Sequence, residues 1–115
     1  MSILGPSDRL AAALDYLGQT IDARAESGDA SSSWTAKLLA KGVDACADKA
    51  AEEAGEFVAA LRGETDERVA SEAADMLYHA LVALRVRGIS LDDVAAALEK
   101  RQGMSGIAEK AGRKG

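Results

Sequence analysis

The stretch from Lys49 to Asp75, KAAEEAGEFVAALRGETDERVASEAAD, decides the fold of this chain. It contains two alanine-rich runs that Gly63 separates. A glycine where one helix ends, followed by Thr65 and two acids where the next begins, is typical of two successive helices. A turn this short predicts that the two helices are antiparallel neighbours.

Helical spacing continues on both sides of this hairpin. Apolar residues predict one helix from Val43 to about Arg62 and a second from Thr65 to about Arg87, which stops at Gly88. Before the hairpin, Ser7-Asp8 opens a helix over RLAAALDYLGQTIDARAE, and SGDASSS forms a polar loop.

Two shorter helices complete the predicted elements. One begins at Ser33 and closes near Gly42, and the other runs from the N-cap Ser90 to about Arg101. No segment alternates convincingly with period two. We therefore predict an all-α protein, a helical bundle with two long antiparallel helices.

The length of the chain predicts a single domain. At 115 residues, the chain forms one domain over 1–115, with a partly irregular leader at 1–6 and tail at 103–115. The chain is small enough that pairing with a second copy, which would complete a four-helix core, would help to stabilise it.

Composition excludes several classes of protein. A net charge of −5 argues against non-specific nucleic-acid binding. There is no apolar run of membrane-spanning length and no secretory signal, so the expected location is the cytoplasm without membrane partners. The single Cys46 falls in an apolar helical stretch, which predicts a buried, reduced thiol.

Acidic residues share one face of each helix in the hairpin. The hairpin helix that begins at Val43 carries four charged residues within about a third of its circumference, namely Lys49, Glu52, Glu53 and Glu56. The helix that begins at Thr65 carries Glu72, Asp75 and His79 on one face. Glu53 and Glu56 lie ten and seven positions before Gly63, and Glu72 and Asp75 lie nine and twelve positions after it. The two groups therefore lie at about the same height, and they face each other if the helices rotate suitably.

Five carboxylates at one level need protons or a counter-ion. Oxygen ligands suit Mg²⁺, Mn²⁺ or Ca²⁺ and not zinc, and Mg²⁺ commonly bridges carboxylates to substrate phosphates. One interpretation is therefore a magnesium site for a phosphorylated ligand, with Mn²⁺ as a substitute. The alternative is a solvated acidic face in a non-catalytic helical dimerisation module, with Lys49 paired to Glu52 or Glu53. A ferritin-like di-iron centre is set aside, because the lone His79 does not supply the Glu-x-x-His pattern.

Several motifs resemble a known family. EEAGE followed by EAAD resembles the EExxE…ExxD signature of the all-α nucleoside-triphosphate pyrophosphohydrolases related to MazG. The segments SSWTAKLLAKG, DKAAEEAGEFVAA, SEAADMLYHALVALRVRGISLDDVAAALEKR and SGIAEKAGRK are similar to the phosphoribosyl-ATP pyrophosphatases within it. The likeness covers residues from about 8 to 113. Asp48 stands where that family has a lysine, which removes one possible phosphate contact.

The resemblance implies a homodimer that hydrolyses a small-molecule nucleotide. The reaction is Mg²⁺-dependent hydrolysis of phosphoribosyl-ATP to phosphoribosyl-AMP and pyrophosphate, in histidine biosynthesis. A cyclohydrolase, fused to this activity in some members, would be a separate protein. The alternative within the superfamily is a house-cleaning nucleoside-triphosphate pyrophosphohydrolase.

The resemblance also implies roles for individual residues. The expected metal ligands are Glu52, Glu53, Glu56 and Asp75, with Glu72 as a further ligand or the base. Glu53 or Glu56 is expected to orient the attacking water. Lys49 either contacts a phosphate or stays in an intrahelical ion pair.

The expected contacts with the 5′-phosphate are basic residues at the end of the chain, namely Arg101, Lys110, Arg113 and Lys114. The alternative for this basic tail is a frayed, solubilising terminus. His79 either donates to a ligand carboxylate or is a satisfied core histidine. Trp34 either stacks on adenine or, as we prefer, caps the bundle.

Overall fold

A computed structural model describes residues 5–28 and 33–102, and every regular element in these ranges is a helix. The five helices are α1 (Pro6–Ser27), α2 (Trp34–Ala40), α3 (Val43–Gly63), α4 (Asp66–Val86) and α5 (Leu91–Lys100). The all-α prediction is confirmed. Within the same ranges, no helix is long and apolar enough to cross a bilayer.

Hydroxyl side chains begin three of these helices, as the sequence predicts. The hydroxyl oxygens of Ser33, Thr65 and Ser90 accept backbone N–H groups three residues further on, at 3.1, 3.3 and 3.2 Å. Each such cap contributes about 1 kcal/mol to the stability of its helix. The caps fix where α2, α4 and α5 begin.

The first helix begins one residue earlier than predicted. Pro6 takes the first helical position, where its missing N–H costs nothing, and Gly5 is the N-cap. The backbone N–H of Gly5 donates to the Asp8 carboxylate at 3.3 Å. Asp8, which was predicted to open this helix, therefore lies in its first turn and accepts a hydrogen bond from the N-cap residue Gly5.

The link between α3 and α4 differs in detail from the expected glycine cap. Gly63 is the last helical residue of α3 and has no positive φ, and the chain leaves the helix through the extended Glu64. The backbone N–H of Glu64 donates to the carbonyl of Ala60 at 2.9 Å. The turn is still very short, so α3 and α4 pack along each other as the predicted antiparallel pair.

The apolar core lies at the open end of the α3–α4 hairpin, away from its turn. Its buried members are Ile21, Leu38, Cys46, Leu81 and Val82, which come from four different helices. Cys46 is 1% exposed, as predicted, and its thiol donates to the carbonyl of Leu38 at 3.5 Å. Burial raises the pKa of this thiol, which keeps it protonated. The core residues of α1 and α2 thus pack against the open end of the hairpin and hold α3 and α4 together there.

Much apolar surface remains exposed. The larger exposed side chains include Leu10, Tyr16, Trp34, Val58, Leu61 and Leu98. None of the residues in α5 is buried, although its apolar positions share one face. Trp34 is 55% exposed, so its indole does not cap the bundle of a single chain, contrary to the preferred expectation.

Candidate metal centre

The structure brings the five predicted acids of α3 and α4 together. Carboxylate oxygens of Glu52, Glu53 and Glu56 lie within 4.8 Å of one another. A second group, within the same limit, joins Glu53 to Glu72 and Asp75 of the neighbouring helix. Glu53 belongs to both groups, so the two helices are rotated to present their acidic faces to each other.

The five acids differ in burial. Glu53 and Glu72 are 7% and 6% exposed, whereas the other three acids are exposed to solvent. Carboxylates are rarely buried to this extent without a partner, because removing an unpaired charge from water is costly. The site therefore has a buried floor, made by one acid from each helix, and an open rim.

Two basic side chains reach the floor. The Lys49 ammonium lies 3.3 Å from Glu52 Oε1 and 3.4 Å from Glu53 Oε1, which is the predicted intrahelical pairing. Hydrogen bonding to Glu52 is the main cause that raises the pKa of Lys49. Arg68 Nη2 lies 2.5 Å from Glu72 Oε1. Sequence analysis missed Arg68, although the arginine precedes Glu72 by four residues, the spacing of a helical ion pair.

These two cations do not neutralise all of the acids. Among the described residues, the buried Glu72 Oε2 has no hydrogen-bond partner. A hydrogen bond with Glu53 raises the pKa of Glu56, and the negative charge of Glu53 raises it further. Crowded carboxylates and an orphaned buried oxygen are what a divalent cation would relieve. Because all of the ligands are oxygens, the residues fit Mg²⁺ or Mn²⁺.

His79 lies against the floor of the site. It is 7% exposed, and its Nε2 is 3.9 Å from Glu53 Oε1. Burial lowers the pKa of His79, which favours the neutral ring. In the part of the chain that the structure describes, its buried Nδ1 finds no hydrogen-bond partner. His79 is therefore not the satisfied core histidine of one expectation.

The ring of Tyr78 holds the His79 imidazole from the side. The two ring centroids are 4.8 Å apart and the planes are nearly perpendicular, at 89°. The Tyr78 hydroxyl in turn contacts the hydroxyl of the buried Thr35, at the start of α2. A chain of contacts thus connects α2 to the histidine beside Glu53.

A small cavity adjoins the acids on the side of the hairpin turn. Its volume is about 230 Å³, and it is lined by Glu56, Ala59, Ala60, Glu64, Arg68 and Glu72. Arg101 lies exposed at the C-terminal end of α5 and is not among the residues that line the cavity. Lys110, Arg113 and Lys114, the other predicted phosphate contacts, lie outside the described residues.

Known proteins are similar to this chain over most of its length. Residues 14–102 match the sequence model of the family described as phosphoribosyl-ATP pyrophosphohydrolase. The chain is 56% identical over 101 residues to the phosphoribosyl-ATP pyrophosphatase of Cereibacter sphaeroides (strain ATCC 17029 / ATH 2.4.9), with 87% of this chain and 96% of the relative covered.

Relatives from other organisms carry the same name. Identity is 55% to the phosphoribosyl-ATP pyrophosphatase of Ruegeria pomeroyi, with 87% of this chain and 94% of the relative covered. It is 50% to that of Rhodobacter capsulatus, with 88% and 97% covered. The resemblance of the EEAGE and EAAD motifs is thereby confirmed, and this chain belongs to the phosphoribosyl-ATP pyrophosphohydrolase family.

Proposed function

We propose that this chain hydrolyses phosphoribosyl-ATP to phosphoribosyl-AMP and pyrophosphate, with Mg²⁺ or Mn²⁺ as the metal, in histidine biosynthesis. The family name and the names of the relatives supply the reaction. The observation in the structure that supports the proposal is the pair of oxygen groups that share Glu53. A triphosphate needs cations to approach a chain with a net charge of −5, and these oxygens are where cations would bind.

The proposed metal ligands are the five clustered acids, namely Glu52, Glu53, Glu56, Glu72 and Asp75. Bound Mg²⁺ would supply positive charge against the triphosphate and lower the pKa of a water molecule. Glu53 or Glu56 would orient that water for attack between the α- and β-phosphates. Glu56 lies on the exposed rim, where substrate arrives, whereas Glu53 lies on the buried floor.

The proposed phosphate contacts are basic residues at two places. Lys49 already lies beside Glu52 and Glu53, so it can reach a phosphate oxygen once a metal neutralises those acids. Arg101, Lys110 and Arg113 would serve the 5′-phosphate of the second ribose. An arginine is well suited to this task because its guanidinium binds phosphate with two parallel hydrogen bonds.

A turnover assay with a substrate panel tests the proposal. Phosphoribosyl-ATP and the ordinary nucleoside triphosphates are compared, with release of pyrophosphate as the readout, in Mg²⁺ and in excess chelator. We expect preference for phosphoribosyl-ATP and no turnover in chelator. Preference for an ordinary triphosphate would favour the house-cleaning alternative. Absence of turnover and of metal binding would favour the helical dimerisation module.

We also propose that the chain is a homodimer. The proposal is supported by the exposed apolar side chains, which include Leu61 in α3 and Leu98 in α5, both 57% exposed. A second copy that covers them would add apolar burial that one small chain lacks. Light scattering after gel filtration should give twice the chain mass. Leu61→Glu should produce a monomer if α3 forms the interface, and Leu98→Glu should do so if α5 forms it.

A further inference from the structure

Arg68 has an unusual position for a surface arginine. Its side chain is 58% exposed, yet its Nη2 lies 2.5 Å from the carboxylate of Glu72, whose side chain is 8% exposed. A guanidinium has five N–H donors in a rigid fork. The contact with Glu72 is through Nη2, and the guanidinium carries further N–H donors on Nη1 and Nε.

Arg68 also lines the cavity beside the acids. Among the described residues that line it, Arg68 alone is basic, against Glu56, Glu64 and Glu72. A space with three carboxylates and one guanidinium repels a free anion. The same space suits an anion that arrives with a divalent cation, because the cation neutralises Glu56 and Glu72 and leaves Arg68 to face the anion.

The positions of Arg68 and Glu72 along α4 place the arginine nearer the hairpin turn than the acid. Arg68 precedes Glu72 by one helical turn, about 6 Å along the axis in the direction of the hairpin turn. A triphosphate whose reacting phosphates lie at the acids can therefore extend its terminal phosphates into the cavity, toward Arg68. In that orientation, the phosphates in the cavity would be the ones that leave as pyrophosphate.

We propose that Arg68 has two alternative partners, Glu72 in the metal-free protein and the departing pyrophosphate group in the metal-bound complex. This inference rests on the proposed function, because it concerns the same metal centre. Metal at Glu72 replaces the guanidinium as the counter-ion of that carboxylate. The released fork then binds phosphate oxygens in the cavity.

Removal of the Arg68 guanidinium should change two binding affinities in opposite directions. Arg68 competes with metal for Glu72, so Arg68→Gln should bind Mg²⁺ alone more tightly than the wild type. Arg68 assists the anion, so the same variant should bind Mg²⁺-pyrophosphate about tenfold more weakly, as expected when a charged hydrogen bond is lost. A merely structural arginine, which only positions Glu72, would weaken both.

Titration calorimetry on the full chain separates these outcomes. Mg²⁺ is titrated alone, and then inorganic pyrophosphate and ribose 5-phosphate are titrated in separate experiments at saturating Mg²⁺. Arg68→Lys, which keeps the charge without the fork, should recover part of the pyrophosphate affinity. Arg62→Gln is the matched control, because Arg62 is an exposed arginine near the same turn that does not line the cavity.

Several results would overturn the proposal. Three of them are wild-type pyrophosphate affinity in Arg68→Gln, weaker binding of Mg²⁺ alone in that variant, and no Mg²⁺-pyrophosphate binding by the wild type. Loss of ribose 5-phosphate binding in place of pyrophosphate binding would assign Arg68 to the other end of the substrate and would also overturn it. A wild type that binds Mg²⁺-pyrophosphate as expected but does not hydrolyse phosphoribosyl-ATP contradicts the proposed reaction and leaves the assignment of Arg68 in place.

Discussion

The α3–α4 hairpin contains two regions that are held together in different ways. At its open end, Cys46, Leu81 and Val82 are buried against α1 and α2. In its middle, the buried positions are occupied by Glu53, Glu72 and His79. Both regions lie on the same two helices, so neither helix type nor helix length explains the difference.

The two regions of the hairpin contribute to stability with opposite sign. Apolar burial at the open end needs no ligand and stabilises the fold by itself. The buried carboxylates in the middle cost free energy unless a cation compensates them. We infer that apolar burial at the open end provides the stability that offsets the cost of the buried carboxylates. The predictions below test whether the two regions are separable.

The largest expected effect is loss of function at the acidic region. Glu53→Gln removes the charge common to both oxygen groups, and activity should fall by about 10³-fold, since metal stabilisation of the transition state amounts to several kcal/mol. The variant should also lose the Mg²⁺-induced rise in melting temperature. Glu99→Gln in α5 is the control and should behave like the wild type. Retained Mg²⁺ stabilisation in Glu53→Gln would contradict the shared role.

A core substitution should give the opposite pattern. Ile21 is 2% exposed, and Ile21→Ala should lower the free energy of unfolding by about 2–5 kcal/mol. Ile21→Val, which removes one methylene, should lower it by about 1 kcal/mol. Denaturant unfolding measures both. The Mg²⁺-induced stabilisation should equal that of the wild type, and its loss would show that the two regions are not separable.

A smaller effect is expected where the two regions meet, at His79. The imidazole lies 3.9 Å from Glu53 and is held by Tyr78, so His79→Leu should leave Glu53 less well oriented. Mg²⁺ affinity should fall by about 10-fold, at the lower end of what loss of an outer contact to a metal ligand costs. His79→Gln, which keeps a polar side chain, should recover part of that affinity. If both variants bind Mg²⁺ like the wild type, His79 has only a packing role.

The smallest expected effect is a pH dependence of the metal-free protein. The pKa of Glu56 is raised from 4.5 in the folded state, so the folded chain still holds a proton when the unfolded chain has lost it. Stability should therefore fall as pH rises from about 4.5 through the raised pKa, because the folded state binds more protons there.

Glu56→Gln isolates this effect. In chelator, the melting temperature of the variant should exceed that of the wild type by a margin that grows as pH rises above 4.5. Below that pH the margin should vanish, since Glu56 is protonated in both states. Saturating Mg²⁺ should reverse the order of the two proteins near neutral pH. A margin that does not change with pH would contradict crowding between Glu53 and Glu56.

The sequence by itself determined the helices, the hairpin and the membership of the acidic set. Ser33, Thr65 and Ser90 are helix caps by residue type, and apolar spacing fixes which side chains share a face. The short link at Gly63 requires α3 and α4 to be antiparallel, although that glycine does not adopt the left-handed conformation that its position suggests. These features follow from contacts within a few residues, which a sequence displays directly.

Only the tertiary structure decided how the two acidic faces meet. Spacing places Glu53 on one face of α3 and Glu72 on one face of α4, but it leaves free the rotation of each helix about its own axis. Burial of Cys46 and Val82 in the core at the open end sets that rotation, and Glu53 then meets Glu72 and Asp75. The position of His79 beside Glu53, and the cavity that Arg68 and Glu72 both line, follow from the same packing.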